Sequence, residues 1–153
     1  MKQITILLIM LASAFTSCSQ TPPKDANADK ICGIYLVTEK SEVSKVKISR
    51  LSNGEYEGKI IWMKNPNFDN GKPKTDIKNP DPSKRNTPAD KIVLLHNFKY
   101  DSSDDEWSGE IYNPVEGNTY NAYAKFESPT QLKVRGYVGL PMFGRSMYWT
   151  KLE

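Results

Sequence analysis

One histidine and two cysteines in 153 residues leave little with which to build a reactive centre. Hydrolysis of the Ser-His-Asp kind would need His96 as its base, yet no strained Gly-x-Ser-x-Gly turn accompanies it, and His96 reads as a strand-face side chain. A zinc site needs several His or Cys ligands at suitable spacing, which one His and one unpaired Cys do not provide. Cys18 and Cys32 imply no disulfide framework, and Cys32, set beside Ile31 and Ile34, reads as a buried, inert thiol. No apolar run approaches the roughly twenty residues needed to cross a bilayer as a helix. Nor does any apolar repeat at helical spacing persist after residue 30. The formal charge is only +3, so no basic field argues for nucleic acid as a partner.

Carboxylates are plentiful, but their spacing does not match a helix-loop-helix calcium site, and the run Asp101, Asp104, Asp105, Glu106 reads as a solvated turn. Gly33, Gly136, Gly139 and Gly144 are too scattered to cradle a phosphate. No catalytic residue, metal or cofactor is therefore expected, and the chain reads as a binding or interaction protein.

What is present begins with an address. "MKQITILLIMLASAFTSCSQ" carries one charge at Lys2, an apolar run from Ile4 to Phe15 and small residues before Cys18, the pattern of an export signal. Phe15-Thr16-Ser17-Cys18 looks like the lipobox of bacterial lipoproteins, which implies removal of residues 1–17 and lipidation of Cys18. Ordinary cleavage after Ala12 and Ala14 is the rival. Residues 18–29 lack any apolar side chain larger than alanine and contain Pro22 and Pro23, so they read as a lipidated, disordered tether. Residues 30–153 have the size of one domain. The address expected is the bacterial cell envelope, lipid-anchored in the outer membrane, with the face left open.

Period-two alternation and turn residues predict strands over 33–39, 43–51, 55–63, 91–100, 106–112, 119–127, 131–138 and 145–152. Short connections force sequential antiparallel neighbours, and eight such strands can remove their edges by closing into an up-and-down barrel. The Asn53-Gly54 pair predicts a two-residue hairpin with both residues at positive φ. The alternation sends Tyr56, Ile60 and Trp62, then Trp107 and Ile111, then Tyr120, Ala122, Ala124 and Phe126, then Leu132, Val134 and Val138, towards the interior. Gly58, Gly109, Ala122, Ala124 and Gly136 are the positions that would leave room there.

Four stretches carry recognisable motifs: "EGKIIWM", "DIKNPDPSKR", "WSGEIYNPVEGNTY" and "LKVRGYVGLPMFGRSMYWT". Together, in this order, they resemble the bacterial family catalogued as domain of unknown function 2147. The resemblance implies an exported, all-β, lipocalin-like (calycin) barrel with no established activity. A non-enzymatic role then follows by analogy: holding a small apolar or amphipathic, lipid-like ligand in or at the mouth of the barrel. An envelope protein partner bound by a filled barrel is the alternative.

The candidate ligand or clasp residues fall in these motifs. Asp76, Asn79 and Arg85 sit in "TDIKNPDPSKRNTPAD", whose prolines argue for a rigid clasp that ties back to the barrel, with a binding lip as the rival. Trp62, Trp107, Tyr112, Tyr120 and Trp149 supply aromatic surface. Arg135 falls on the outward phase unless Gly136 bulges and turns it in, and Arg145 closes "GLPMFGR". That loop is oddly apolar: Leu140, Met142 and Phe143 are expected to plug one barrel end or to form a contact patch.

Overall fold

The computed structural model describes residues 26–153; the expected signal segment, Cys18 and the expected tether up to residue 25 lie outside the described residues. Eight strands follow in chain order: β1 (Gly33–Glu39), β2 (Glu42–Arg50), β3 (Tyr56–Met63), β4 (Val93–Asp101), β5 (Glu106–Asn113), β6 (Asn118–Ser128), β7 (Gln131–Tyr137) and β8 (Gly144–Lys151). Each pairs antiparallel with the next, and β8 returns to β1 through Tyr35↔Lys151 and Leu36↔Thr150, which closes the barrel. Closure gives each of these eight strands two neighbours, although the β1–β8 seam is paired over a short stretch.

Because the strands alternate in direction, every second connection lies at the same end. The turns 51–55, 102–105 and 129–130 share one end with both chain termini of the barrel; 40–41, 64–92, 114–117 and 138–143 share the other. The first end is shut. A 3-10 turn over Ala28–Ile31 lies across it with Ala28 and Ile31 buried. Trp107 Nε1 donates to the Ala28 carbonyl (3.0 Å), Tyr35 donates to Ile31 O (2.7 Å) and Tyr56 donates to Asp29 (2.8 Å). Ala28 and Asp29 thus belong to the barrel, which corrects the tether boundary expected at residue 29: three aromatic donors buried beneath the turn need its oxygens as acceptors.

The interior is filled from that end. Tyr35, Tyr56, Phe98, Trp107, Leu132 and Val134 are all fully buried. The glycines expected to leave space do not. A Cβ at Gly58 would stand 2.8 Å from Leu95 Cγ, and one at Gly109 would meet the His96 carbonyl at 2.6 Å, where β4 approaches with Asn97 at φ 56°. Gly136 is similarly taken up by Ile111.

Two of the expected inward residues point elsewhere. Between Lys45 and Val46 the β2–β3 register slips, so that Lys45 faces Trp62 while Val46 faces Ile60; Ile61 is the extra residue of a bulge. One inserted residue reverses a period of two, so Trp62 emerges on the outer wall, 44% exposed, with Lys45 Nζ 5.5 Å from its ring centroid. Trp62→Ala is therefore expected to change stability by no more than about 1 kcal/mol, the scale of an exposed cation–π contact, as read by thermal melting. Val138 lies beyond the end of β7, next to Gly139 at φ 69°, and is exposed. The Asn53-Gly54 hairpin is also wider than expected, with Gly54 alone at positive φ (85°) and Leu51 N donating to Glu55 O.

Candidate functional site

The long connection 64–92 is a strap with its own ties. Backbone bonds Asp76 N to Thr87 O and Ala89 N to Lys74 O (both 2.9 Å) pair its two limbs, and Asp81 accepts from Ser83 N to cap a short 3-10 turn, Pro82–Lys84. Among the described residues Asp76 is the one charged residue that is buried, between the strap and the outer wall. Its carboxylate accepts from Tyr112 (2.6 Å) and from Asn79 Nδ2 (2.7 Å). Ile111 faces inward, so its neighbour Tyr112 faces out, and both are buried because the strap covers the outer wall there. Burial first, and the bond to Asp76 second, hold the Tyr112 phenol above its ordinary range, so it stays a donor. Arg85 donates through Nε to Asn79 O (2.8 Å); it meets Asp76 only through Asn79, not directly. Lys78 Nζ reaches Val115 O (2.7 Å) and Lys74 Nζ reaches Glu42 (2.9 Å), tying the strap to two neighbouring elements.

At this end the barrel has a shallow mouth. Val37, Ile60 and Ile111, the inner residues nearest it, keep 8%, 6% and 7% of their surface, whereas those near the shut end keep essentially none. Above them Tyr120, Gly136 and Met147 on the inner phase are half-buried. Trp149 lies one inward step below Met147 on β8, fully buried, with its ring centroid 6.3 Å from that of Tyr35. Among the described residues two buried side-chain polar atoms lack a hydrogen-bond partner: Trp149 Nε1, and Glu42 Oε2 beside the open cleft lined by Lys64, Phe68 and Lys74. On the rim Arg145 pairs with Glu39, and Tyr120 donates to Glu116.

Arg135 follows the outward phase and remains outside. Its guanidinium donates to Pro141 O (2.7 Å), Ser146 Oγ (2.8 Å) and Met142 O (3.3 Å), which fixes the 138–143 loop by its backbone. The apolar side chains of that loop do not plug the barrel. Met142 is 72% and Phe143 69% exposed, and Leu140 is exposed beside them, so the loop presents an exposed apolar patch. Carbonyls held inward towards Arg135 send the side chains out.

The candidate residues thus separate into several places. Asp76, Asn79, Arg85 and Tyr112 form one bonded group on the outer wall, Tyr120 and Arg145 line or rim the mouth, Trp149 lies buried below it beside Leu132 and Tyr35, and Trp62, Trp107 and Arg135 stand apart. Gly136 is a mouth residue already expected on the inner face, whereas Met147 is one that the sequence reading does not name, although counting back by twos from Trp149 reaches it. Cys32 is held above its ordinary pKa, by burial first and the Asp29 charge second, and His96 Nε2 lies 3.1 Å from the Val93 carbonyl. Neither is part of these groups.

A closed, eight-stranded up-and-down barrel with one capped end and one mouth is a lipocalin-like fold. The chain belongs to the family described as "Uncharacterized protein conserved in bacteria (DUF2147)", which matches residues 33–151. Among solved structures it is similar to protein HP1028 from the human pathogen Helicobacter pylori, described as belonging to the lipocalin family. That likeness has 26% identity and a TM-score of 0.64, and covers 80% of this chain and 82% of that one. No curated protein matches the chain.

Proposed function

We propose that this is an envelope lipoprotein, anchored through Cys18, whose barrel holds one small amphipathic molecule at the mouth between Tyr120, Gly136 and Met147, without catalysis. One observation carries the reading. Trp149 Nε1, two residues along β8 from Met147, is a buried donor without a partner, and such a group costs about 1–3 kcal/mol unless something accepts from it. A ligand whose apolar part lies against Met147 and Ile111, and whose carbonyl or carboxylate oxygen accepts from Trp149, supplies what the site lacks. Residual exposure rising towards the mouth gives the route. The filled lower half limits the ligand to a short one.

Native mass spectrometry of the protein purified from its host under mild detergent tests this. The expected result is an added mass on the wild-type chain that is reduced in Trp149→Phe, which keeps an aromatic ring but removes the donor. Equal occupancy in both chains would leave the indole without a role in binding, and no added mass in either would favour a filled barrel that works by presenting its loops to a protein.

A further inference from the structure

The two ends of the barrel differ in charge and in apolar exposure. At the mouth end, the connections 40–41, 64–92, 114–117 and 138–143 carry eight Lys and Arg against five Asp and Glu, a balance of +3. At the shut end, the turns and chain ends 26–32, 51–55, 102–105, 129–130 and 152–153 carry one Lys against five Asp and Glu, a balance of −4. Exposed large apolar side chains follow the same division. Phe68, Ile77, Val115, Leu140, Met142 and Phe143 stand on the mouth-end loops, while Leu51 and Leu152 are their counterparts at the shut end. On the adjoining wall Tyr123 and Tyr137 lie with tilted rings, centroids 6.5 Å apart, next to Arg135.

We propose that the mouth end docks on an anionic lipid bilayer, with the Leu140-Met142-Phe143 loop entering the interface. A cationic collar round protruding apolar side chains, with tyrosines set back along the wall, matches the layering of a bilayer surface: anionic headgroups, acyl chains beneath, and amphipathic rings at the boundary. The loop backbone is fixed by Arg135, so the three exposed side chains are presented together with little backbone ordering cost on docking. The acidic shut end would be repelled by the same surface, which sets the orientation. The chain also permits it. The ten Cα-to-Cα steps from Cys18 to Ala28 reach at most about 36 Å, and an eight-residue strand spans about 26 Å, so a lipid-anchored barrel can turn its mouth to its own membrane. Docking there would set the proposed ligand site at the source of amphipathic molecules.

The test uses full-length Cys18→Ala chain, which cannot be acylated at that position, in sedimentation with vesicles of phosphatidylcholine alone or mixed with phosphatidylglycerol. A second chain adds Leu140→Ser, Met142→Ser and Phe143→Ser, all at exposed positions, with melting measured to confirm folding. Both chains share the same N-terminal apolar run, so their difference reads the loop alone. The expected result is binding to the anionic vesicles that weakens as salt is raised, and falls about tenfold or more in the triple variant. Equal binding by the two folded chains would overturn the proposal, as would equal binding to both vesicle types. Crosslinking of the loop to a polypeptide without a difference on vesicles would overturn it in favour of a protein partner. Added mass in native spectra is read separately, so loss of docking with ligand retained would count against docking alone.

Discussion

Trp107→Ala is expected to lower stability by about 3–5 kcal/mol, the range for deleting a large aromatic side chain from a core. Trp107 is wholly buried at the shut end of the barrel, with the Tyr100 ring 4.9 Å and the Phe126 ring 6.0 Å from it between centroids. Its truncation removes the ring volume and also leaves the Ala28 carbonyl without its donor, loosening the 3-10 turn that caps the end. Calorimetric or denaturant unfolding reads the loss directly. Trp107→Phe should recover most of the packing but not the Ala28 bond, and should fall between the two. If Trp107→Ala melts like wild type, the inner face of β5 has been assigned to the wrong side.

Asp76→Ala is expected to cost about 1.5–3 kcal/mol, the scale of a hydrogen bond to a charged group. Asp76 holds two donors, Tyr112 from the wall and Asn79 from the strap, and Tyr112 is left buried and unsatisfied when the carboxylate goes. The strap should then open locally before the barrel does, because its other ties, the Lys74–Glu42 pair apart, are short-range or exposed. Limited proteolysis is expected to cut the variant earlier within residues 64–92 while β1 to β3 remain intact. Unchanged cleavage together with an unchanged melting point would mean that the strap is held by its proline-rich backbone alone.

All eight strands were legible because alternation of apolar and polar side chains is a direct imprint of a wall with a dry side and a wet one. Their bounds move by only a residue or two: β4 begins at Val93 rather than residue 91, since Ala89–Lys91 turns as a 3-10 element first. What alternation cannot show is an inserted residue. Ile61 is chemically ordinary, and only its partner strand reveals that two residues there face one, which is why alternation alone sends Trp62 to the wrong face. The same limit hid the state of "GLPMFGR", whose apolar side chains suit a plug and a patch equally; the choice rests on Arg135 binding the loop's carbonyls.

Of the candidate site, the strap's Asp76 could be singled out as a residue able to bond back to the barrel, but its partner could not. Tyr112 falls on the outer phase of β5, where alternation gives no reason for burial, and only the strap above it supplies one. The charge division between the two ends was present in the sequence throughout. Once an up-and-down order is accepted, alternate loops share an end, and summing charge over alternate loops separates +3 from −4. The near-balanced total concealed it.

The central claim is that Trp149 Nε1, orphaned two residues along β8 from Met147, is completed by a bound acceptor. Nitrogen-15 NMR of the tryptophan side chains tests it most directly, comparing protein purified from its host with the same protein after delipidation and refolding. Of Trp62, Trp107 and Trp149, the account predicts that the Trp149 indole N–H alone moves substantially: downfield and slow to exchange in the host-purified sample, upfield after delipidation. The Trp107 signal, bonded to Ala28 in both, should stay in place. Superimposable Trp149 signals in the two samples would contradict a ligand at this site.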